Sequence, residues 1–306
     1  MLPIVVRDFQ VLSHAILNRV PQVVTRLGSE DHPLYKQWVK SCWAVLLNRA
    51  PDTVKDQPIS NYIVNDHKAD HGYWRHTYLA DWVANNFPEE DPAAFAYKAG
   101  RAEKPQTFQT ITGTGLSYCA QLSLPVYSRE GYEADDLAAT LVKIKKTFMQ
   151  LGIEHPLAAS EIWLHTVDCD WLQLVSPGVR WMNTAIWVPR IRDEAEAIDY
   201  IIRKSKAKTR KSMGGIKHPW DIVRVKVIEG DSSDNLKAGK APVEVIDLMN
   251  PPSQFDLMYQ PEVLRDMLQR VQTHDNRNKE HYTKAVAFLL QAGLPAPCSL
   301  SAEAQS

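Results

Sequence analysis

Cysteine is scarce in this chain of 306 residues: Cys42, Cys119, Cys169 and Cys298 are scattered, with neither disulfide nor metal-ligand spacing. A disulfide-stapled scaffold and a zinc ribbon are excluded, and a reducing cytoplasm is the expected setting. No apolar run approaches the length that spans a bilayer, and the N-terminus lacks a basic-then-apolar signal pattern, so no membrane partner is expected. Charge of either sign is not in excess, with Lys+Arg 35 against Asp+Glu 36. The chain as a whole therefore has no electrostatic pull towards nucleic acid, and any such contact must come from local patches. No internal repeat is present. The length allows one large domain, or a core domain with an appendage, around a substantial buried core.

Hydrophobic periodicity orders the first two thirds. Leu2 to Val6 reads as a strand and Val11 to Val24 as a helix, followed by a helix over Tyr35 to Leu47. Asn61 to Asn65 is a buried-strand pattern, and Ser123 to Ser128 is another, weakened by its proline. A helix over Glu133 to Gln150, a strand over Glu161 to Val167 and a short hairpin over Val179 to Val188 complete the series. Strands alternating with helices predict an α/β fold with a mostly parallel central sheet and helices on both faces. From about residue 193 helical patterns take over, predicting an α/β core over 1–192 and a helical lobe over 193–306. Arg203 to Lys217 is basic, and reads either as a nucleic-acid-binding stretch or as a solvated linker. The tail from Ser299 to Ser306 is small and polar and is expected to fray.

Acids follow the strands one after another. Asp8 follows the first, Asp66 the second, Glu133, Asp135 and Asp136 the third, and Asp168 and Asp170 the fourth. In an open parallel sheet the carboxyl ends of the strands share one edge, so these seven carboxylates are expected to converge. Each alone has a bland reading, as a strand-end acid or a residue of a first helical turn. Repetition at every strand end argues against that reading for the set. Converging acids repel and raise one another's pKa, so cations are expected among them. Ligation by oxygen alone favours Mg²⁺, with Mn²⁺ as a substitute, and the lack of Cys or His partners argues against zinc. Two such ions roughly 4 Å apart can activate water and stabilise a departing oxygen. His67 and His71 lack a zinc-site context, and Gly113 to Gly115 lacks that of a nucleotide-binding loop, so neither is taken as a site.

At GYEADD (Gly131 to Asp136), TVDCDWLQLV (Thr166 to Val175) and GDSSDN (Gly230 to Asn235), the sequence resembles the 5′-to-3′ exonuclease and flap endonuclease family. With GYWR (Gly72 to Arg75) and FLLQAGL (Phe288 to Leu294), the nearest resemblance is to the bacteriophage-type ribonuclease H branch. It implies a PIN-like 5′ nuclease core, with one metal near Asp8, Asp66, Glu133, Asp135 or Asp136, and Asp168. A second metal would lie near Asp168, Asp170, Asp231 and Asp234. YKAGR (Tyr97 to Arg101) is similar to the family's tyrosine-lysine-x-x-arginine motif, which implies that Lys98 and Arg101 stabilise charge on the scissile phosphate. A solvated basic helix face is the alternative for this pair. Arg75 is expected to add a phosphate contact, and Tyr73 or Trp74 to stack on a base.

The segment within residues 76–105 is longer than that branch leads one to expect, and reads either as an arch-like insertion or as a locally packed one. GDSSDN runs on into LKAGKAPVEV (Leu236 to Val245), with one glycine, so the helix-hairpin-helix that follows it in the family is divergent here. Lys204, Lys206, Lys208, Arg210 and Lys211 are candidates for backbone contacts in its place. The implied activity is two-metal hydrolysis at 5′ ends, flaps or RNA primers in DNA replication. Branched, flapped or nicked DNA and RNA–DNA hybrids are the expected substrates, with replication proteins as possible partners. The implied protein is a monomer in the cytoplasm, the host's if it is phage-encoded. A PIN-like ribonuclease and a catalytically inactive structure-specific DNA-binding protein are the alternatives.

Overall fold

The strands β1 (Ile4–Asp8), β2 (Ser60–Val64), β3 (Val126–Tyr127), β4 (Ile162–His165) and β5 (Val179–Met182) form one sheet in the order β3-β2-β1-β4-β5, every pair parallel. The computed structural model describes residues 2–50, 52–54, 57–183, 191–272 and 279–297. Of the expected Val179 to Val188 hairpin, residues 179–182 pair with β4, and Trp181 exchanges two main-chain hydrogen bonds of 2.9 Å with Ile191. Residues 184–190 lie outside the described set, as do Cys298 and the tail.

The α-helices in chain order are α1 (Phe9–Leu17), α2 (Val20–Leu27), α3 (Pro33–Asn48), α4 (Trp74–Asn86), α5 (Gln106–Gln121), α6 (Ala134–Leu151) and α7 (Pro156–Ala159). They continue as α8 (Glu194–Lys204), α9 (Ala207–Ser212), α10 (Asp221–Glu229), α11 (Val243–Ile246), α12 (Pro261–Gln272) and α13 (Lys279–Ala292). The single helix expected over Val11 to Val24 is two, because the chain turns at Asn18 and Arg19 and re-enters helix with Pro21 in the first turn, where its missing N–H costs nothing. β3 keeps only two residues of the expected Ser123 to Ser128, as the proline at 125 predicts.

β1 is buried along its whole length although Arg7 lies within it. The guanidinium is satisfied where it sits: it donates to Asn61 Oδ1 at 2.6 Å, to the carbonyls of Leu46 at 3.1 Å and Arg49 at 2.7 Å, and meets His165 Nδ1 at 2.6 Å. Burial, with Arg7 and Arg49 beside it, pushes His165 well below the ordinary histidine range, so it stays neutral. Gly113 and Gly115 fall inside α5. A Cβ on Gly115 would stand 2.4 Å from the Trp43 ring, so this glycine serves helix packing.

Helices after residue 193 share the core of the sheet. Ile201, Val223, Val245, Val263 and Met267 belong to one buried cluster with Val6, Val64 and Leu164, and α13 packs back onto α3. Of residues 76–105, positions 76–86 continue α4, which buries Leu79 and Val83. No described helix is long and apolar enough to cross a membrane.

Candidate metal centre

The sheet brings Asp8 and Thr166 together at the carboxyl edge of β1 and β4, where the strand order reverses and open α/β sheets form a crevice. Asp8 ends β1 and caps α1 by accepting from the Val11 amide at 3.1 Å, while Thr166 Oγ1 donates to its other oxygen at 3.2 Å. Asp66, just beyond β2, accepts from the Ala134 amide at 2.9 Å, which ties that strand end to the first turn of α6. Asp168 accepts from the Asp170 amide at 2.9 Å and opens a short 3₁₀ turn, Cys169–Leu174, that carries Asp170 and Trp171. Trp171 Nε1 donates to Asp135 Oδ1 at 2.6 Å, joining α6 to that turn.

Burial and mutual repulsion act on these acids together. Burial, then the charges of Asp66 and Asp168, raise Asp8 from 3.8 to about 7. Burial, then Glu133, raises Asp66, and burial, then Asp168 and Glu133, raises Asp135 well above its ordinary range. Asp170 is pushed to about 7 by burial, with Asp168 adding to the rise and Lys226 opposing it. Glu133 moves the other way: burial pushes it up, but Lys98 and Arg75 outweigh that and hold it below its usual value.

Asp8 and Asp170 therefore bind protons more tightly folded than unfolded. Their contribution to stability is present in full below about pH 4 and is lost as pH rises to about 7. With chelator present, Tm is expected to fall by roughly 5 °C or more between pH 5 and 8, and Asp8→Asn to flatten that slope. A flat profile in the wild type would remove the electrostatic crowding at this edge.

Carboxylate oxygens of Asp170, Asp231 and Asp234 lie within 4.8 Å of one another. At such separations each like-charged pair costs roughly 3–4 kcal/mol at an effective dielectric of about 20. Positive charge is drawn in to offset this: Lys226 of α10 pairs with both Asp170 and Asp231, and Lys98 with Glu133. Among the described residues Asp170 Oδ1 meets no partner but the Lys226 ammonium, so the charge beside it is already balanced by a cation. An all-carboxylate set of this spread suits a hard divalent ion, whose oxygens stand about 2.1–2.5 Å away.

The GDSSDN loop and the YKAGR segment lock together. The Lys98 amide donates to the Asp234 carbonyl at 2.9 Å, Arg101 reaches the Ser233 carbonyl at 3.0 Å and Asp234 Oδ1 at 2.6 Å, and Asn235 Nδ2 holds the Ala96 carbonyl at 3.0 Å. Lys98 itself adopts a left-handed backbone, φ 57°, which a lysine tolerates only under such restraint. Gly230 is needed by close approach: a Cβ there would meet the Leu236 carbonyl oxygen at 2.7 Å and the Ala238 nitrogen at 2.9 Å, at φ 78°. Gly230→Ala is expected to destabilise by about 2 kcal/mol and to loosen the Asp231 turn. Equal melting of variant and wild type in chelator would count against this packing.

Several residues singled out in the sequence sit elsewhere. Trp74, 4% exposed, stacks on Phe255 at 4.9 Å and donates to Asp136 at 3.3 Å, so it has no face to offer a base. Arg75 is 1% exposed beneath the crevice and cannot meet a phosphate from solvent. Asp136 receives Arg75 on both oxygens, at 2.7 and 2.8 Å, and the Glu133 amide at 2.9 Å. It belongs to the support of α6, whereas Asp135 faces Asp168. Tyr73 is half-buried, with Lys98 Nζ 5.6 Å from its ring centre. Lys204, Lys206, Lys208 and Lys211 are exposed on α8, α9 and their junction, while Arg210 turns inward to the carbonyls of Ile202 and Ser205. His67 and His71 are exposed.

Three contributors escaped the sequence reading. Thr166 and Trp171 lie within the TVDCDW motif, and their position beside the aspartates was the available signal. Lys226 carried none, since a lysine five residues before Asp231 looks like any other on a helix.

An acid-lined edge on a five-stranded parallel sheet, closed by a cation-bearing segment, matches what sequence comparison finds. Residues 52–208 match the family model described as the 5′-3′ exonuclease, N-terminal resolvase-like domain, and the chain belongs to that family. A stretch of 140 residues is 31% identical to DNA polymerase I of Chloroflexus aurantiacus, covering 46% of this chain and 13% of the polymerase. The match thus spans about an eighth of that relative's length. Among solved structures, the bacteriophage T5 D15 protein co-crystallised with metal ions is similar at 16% identity, TM-score 0.46, over 95% of each chain. The T5 5′-exonuclease with bound zinc is similar at 15% identity, TM-score 0.45, over 95% of this chain and 94% of that one.

Proposed function

We propose that the chain is a metal-dependent 5′ nuclease that hydrolyses phosphodiester bonds at 5′ ends, flaps or RNA primers during DNA replication. The observation that carries this reading is the convergence of buried, mutually repelling acids from separate strand ends, faced by Lys98 and Lys226. A protein that only bound DNA would gain nothing from concentrating negative charge beside phosphates.

In this reading Asp8, Asp66, Glu133, Asp135 and Asp168 hold one divalent ion, and Asp168, Asp170, Asp231 and Asp234 a second. Bound Mg²⁺ or Mn²⁺ supplies an activated water and charge stabilisation at the phosphate. The protein's own groups do the positioning. Lys98 and Arg101, held by the GDSSDN loop, present cations at the rim, where Arg101 is half exposed and able to reach a phosphate oxygen. The exposed lysines at 204, 206, 208 and 211 offer sequence-independent contacts to a duplex backbone, so that the helical part handles duplex while the sheet edge cleaves.

Incubation of a labelled flap and an RNA–DNA hybrid with Mg²⁺, wild type beside Asp168→Ala, tests the reading. Cleavage by the wild type and its loss in the variant is expected. No cleavage by the wild type with any of several divalent ions would overturn it.

A further inference from the structure

Arg75 was expected to touch a phosphate, and its burial requires another role. All three of its guanidinium nitrogens donate to neighbouring groups: Nε to the Val245 carbonyl at 2.9 Å, Nη1 to Glu133 Oε2 at 3.1 Å and Asp136 Oδ2 at 2.8 Å, and Nη2 to Asp136 Oδ1 at 2.7 Å. The Trp74 ring lies over it at 4.5 Å. One side chain of α4 therefore fastens the first turn of α6 to α11.

The consequence falls on Glu133. Its Oε2 is taken by Arg75 and by the buried Tyr97 hydroxyl at 3.0 Å, which leaves Oε1 to pair with Lys98, whose side chain is 15% exposed. The Asp136 carboxylate, gripped by Arg75, also accepts from the Glu133 amide and so fixes the backbone of the same residue. We infer that Arg75 is a positioning residue that sets which oxygen Glu133 presents to a divalent ion, and that through Val245 it makes this presentation depend on the packing of α11. The inference rests on the metal-dependent reading above.

Groups that orient a ligand without touching the ion typically change affinity by about 10–100-fold when removed. Arg75→Gln is expected to weaken Mn²⁺ binding, measured by titration calorimetry, by roughly that factor, with Arg75→Lys recovering part of it. On a flap substrate at saturating DNA, kcat should fall while KM for DNA stays within about twofold, because a buried side chain adds nothing to uniform substrate binding.

A raised KM with unchanged Mn²⁺ affinity would restore a phosphate contact and overturn the inference. A lower Tm with unchanged Mn²⁺ affinity and kcat would overturn it too, since that is what a purely structural ion pair produces. If Arg75→Gln fails to fold, Asp136→Asn serves, because it weakens the clamp while keeping an isosteric acceptor. A several-fold loss of Mn²⁺ affinity supports the inference and unchanged affinity overturns it. Absence of Mn²⁺ binding by the wild type would instead overturn the nuclease reading itself, so the two failures are distinguishable.

Discussion

Asp135→Asn is expected to lose metal-dependent cleavage by on the order of 10³-fold or more while making the metal-free protein more stable. Asp135 is pushed far up by burial and by the charges of Asp168 and Glu133, so without a metal its folded surroundings disfavour the ionised form. Asparagine keeps the volume and an acceptor for the Trp171 indole, which donates at 2.6 Å, and removes only the charge. Relief of the repulsion should raise stability in chelator by about 1 kcal/mol, the usual size for correcting an unfavourable charge. Activity and stability then move in opposite directions, as expected where acids are gathered to hold an ion. Denaturant titration with chelator, beside a flap-cleavage assay with Mg²⁺, reads both. A destabilised variant, or one within about tenfold of wild-type activity, would mean that Asp135 is a structural acid.

Lys226→Met is expected to move stability the other way. The ammonium lies between Asp170 and Asp231, with its side chain 17% exposed, and Met keeps most of the apolar stem while deleting the charge. Breaking a largely buried pair from one side leaves the partners uncompensated and typically costs about 3–5 kcal/mol. In chelator at pH 8 this corresponds to a Tm lower by roughly 10 °C. Lower pH should restore part of the loss, because Asp170 titrates near pH 7, and Mg²⁺ should restore more in the variant than in the wild type. Differential scanning calorimetry with and without Mg²⁺ checks this. Unchanged melting in chelator would show that Lys226 does not neutralise the cluster.

The strands β1, β2 and β4 and the helix α6 were legible in the sequence because each is a short apolar run or an apolar stripe whose pattern is local. The break between α1 and α2 was hidden by side chains that keep a helical period across Asn18 and Arg19. Arg7 shows the same limit inside a strand, since its partners come from α3, β2 and β4 and its local sequence reads as an apolar run interrupted by a charge.

The sequence by itself determined that acids stand at successive strand ends, and a parallel sheet has one carboxyl edge to which such ends must come. That GDSSDN and YKAGR belong to the same site came from family resemblance. Only the tertiary structure separated Asp135 from Asp136: neighbours on a helix point about 100° apart, and the fold set Arg75 against Asp136 and the charge of Asp168 near Asp135. It likewise buried Trp74 and Arg75, turned Arg210 inward to main-chain carbonyls and set Lys226 among the acids. Each outcome depends on which distant groups burial brings within a few ångströms, where charge and desolvation dominate, and no local spacing encodes that.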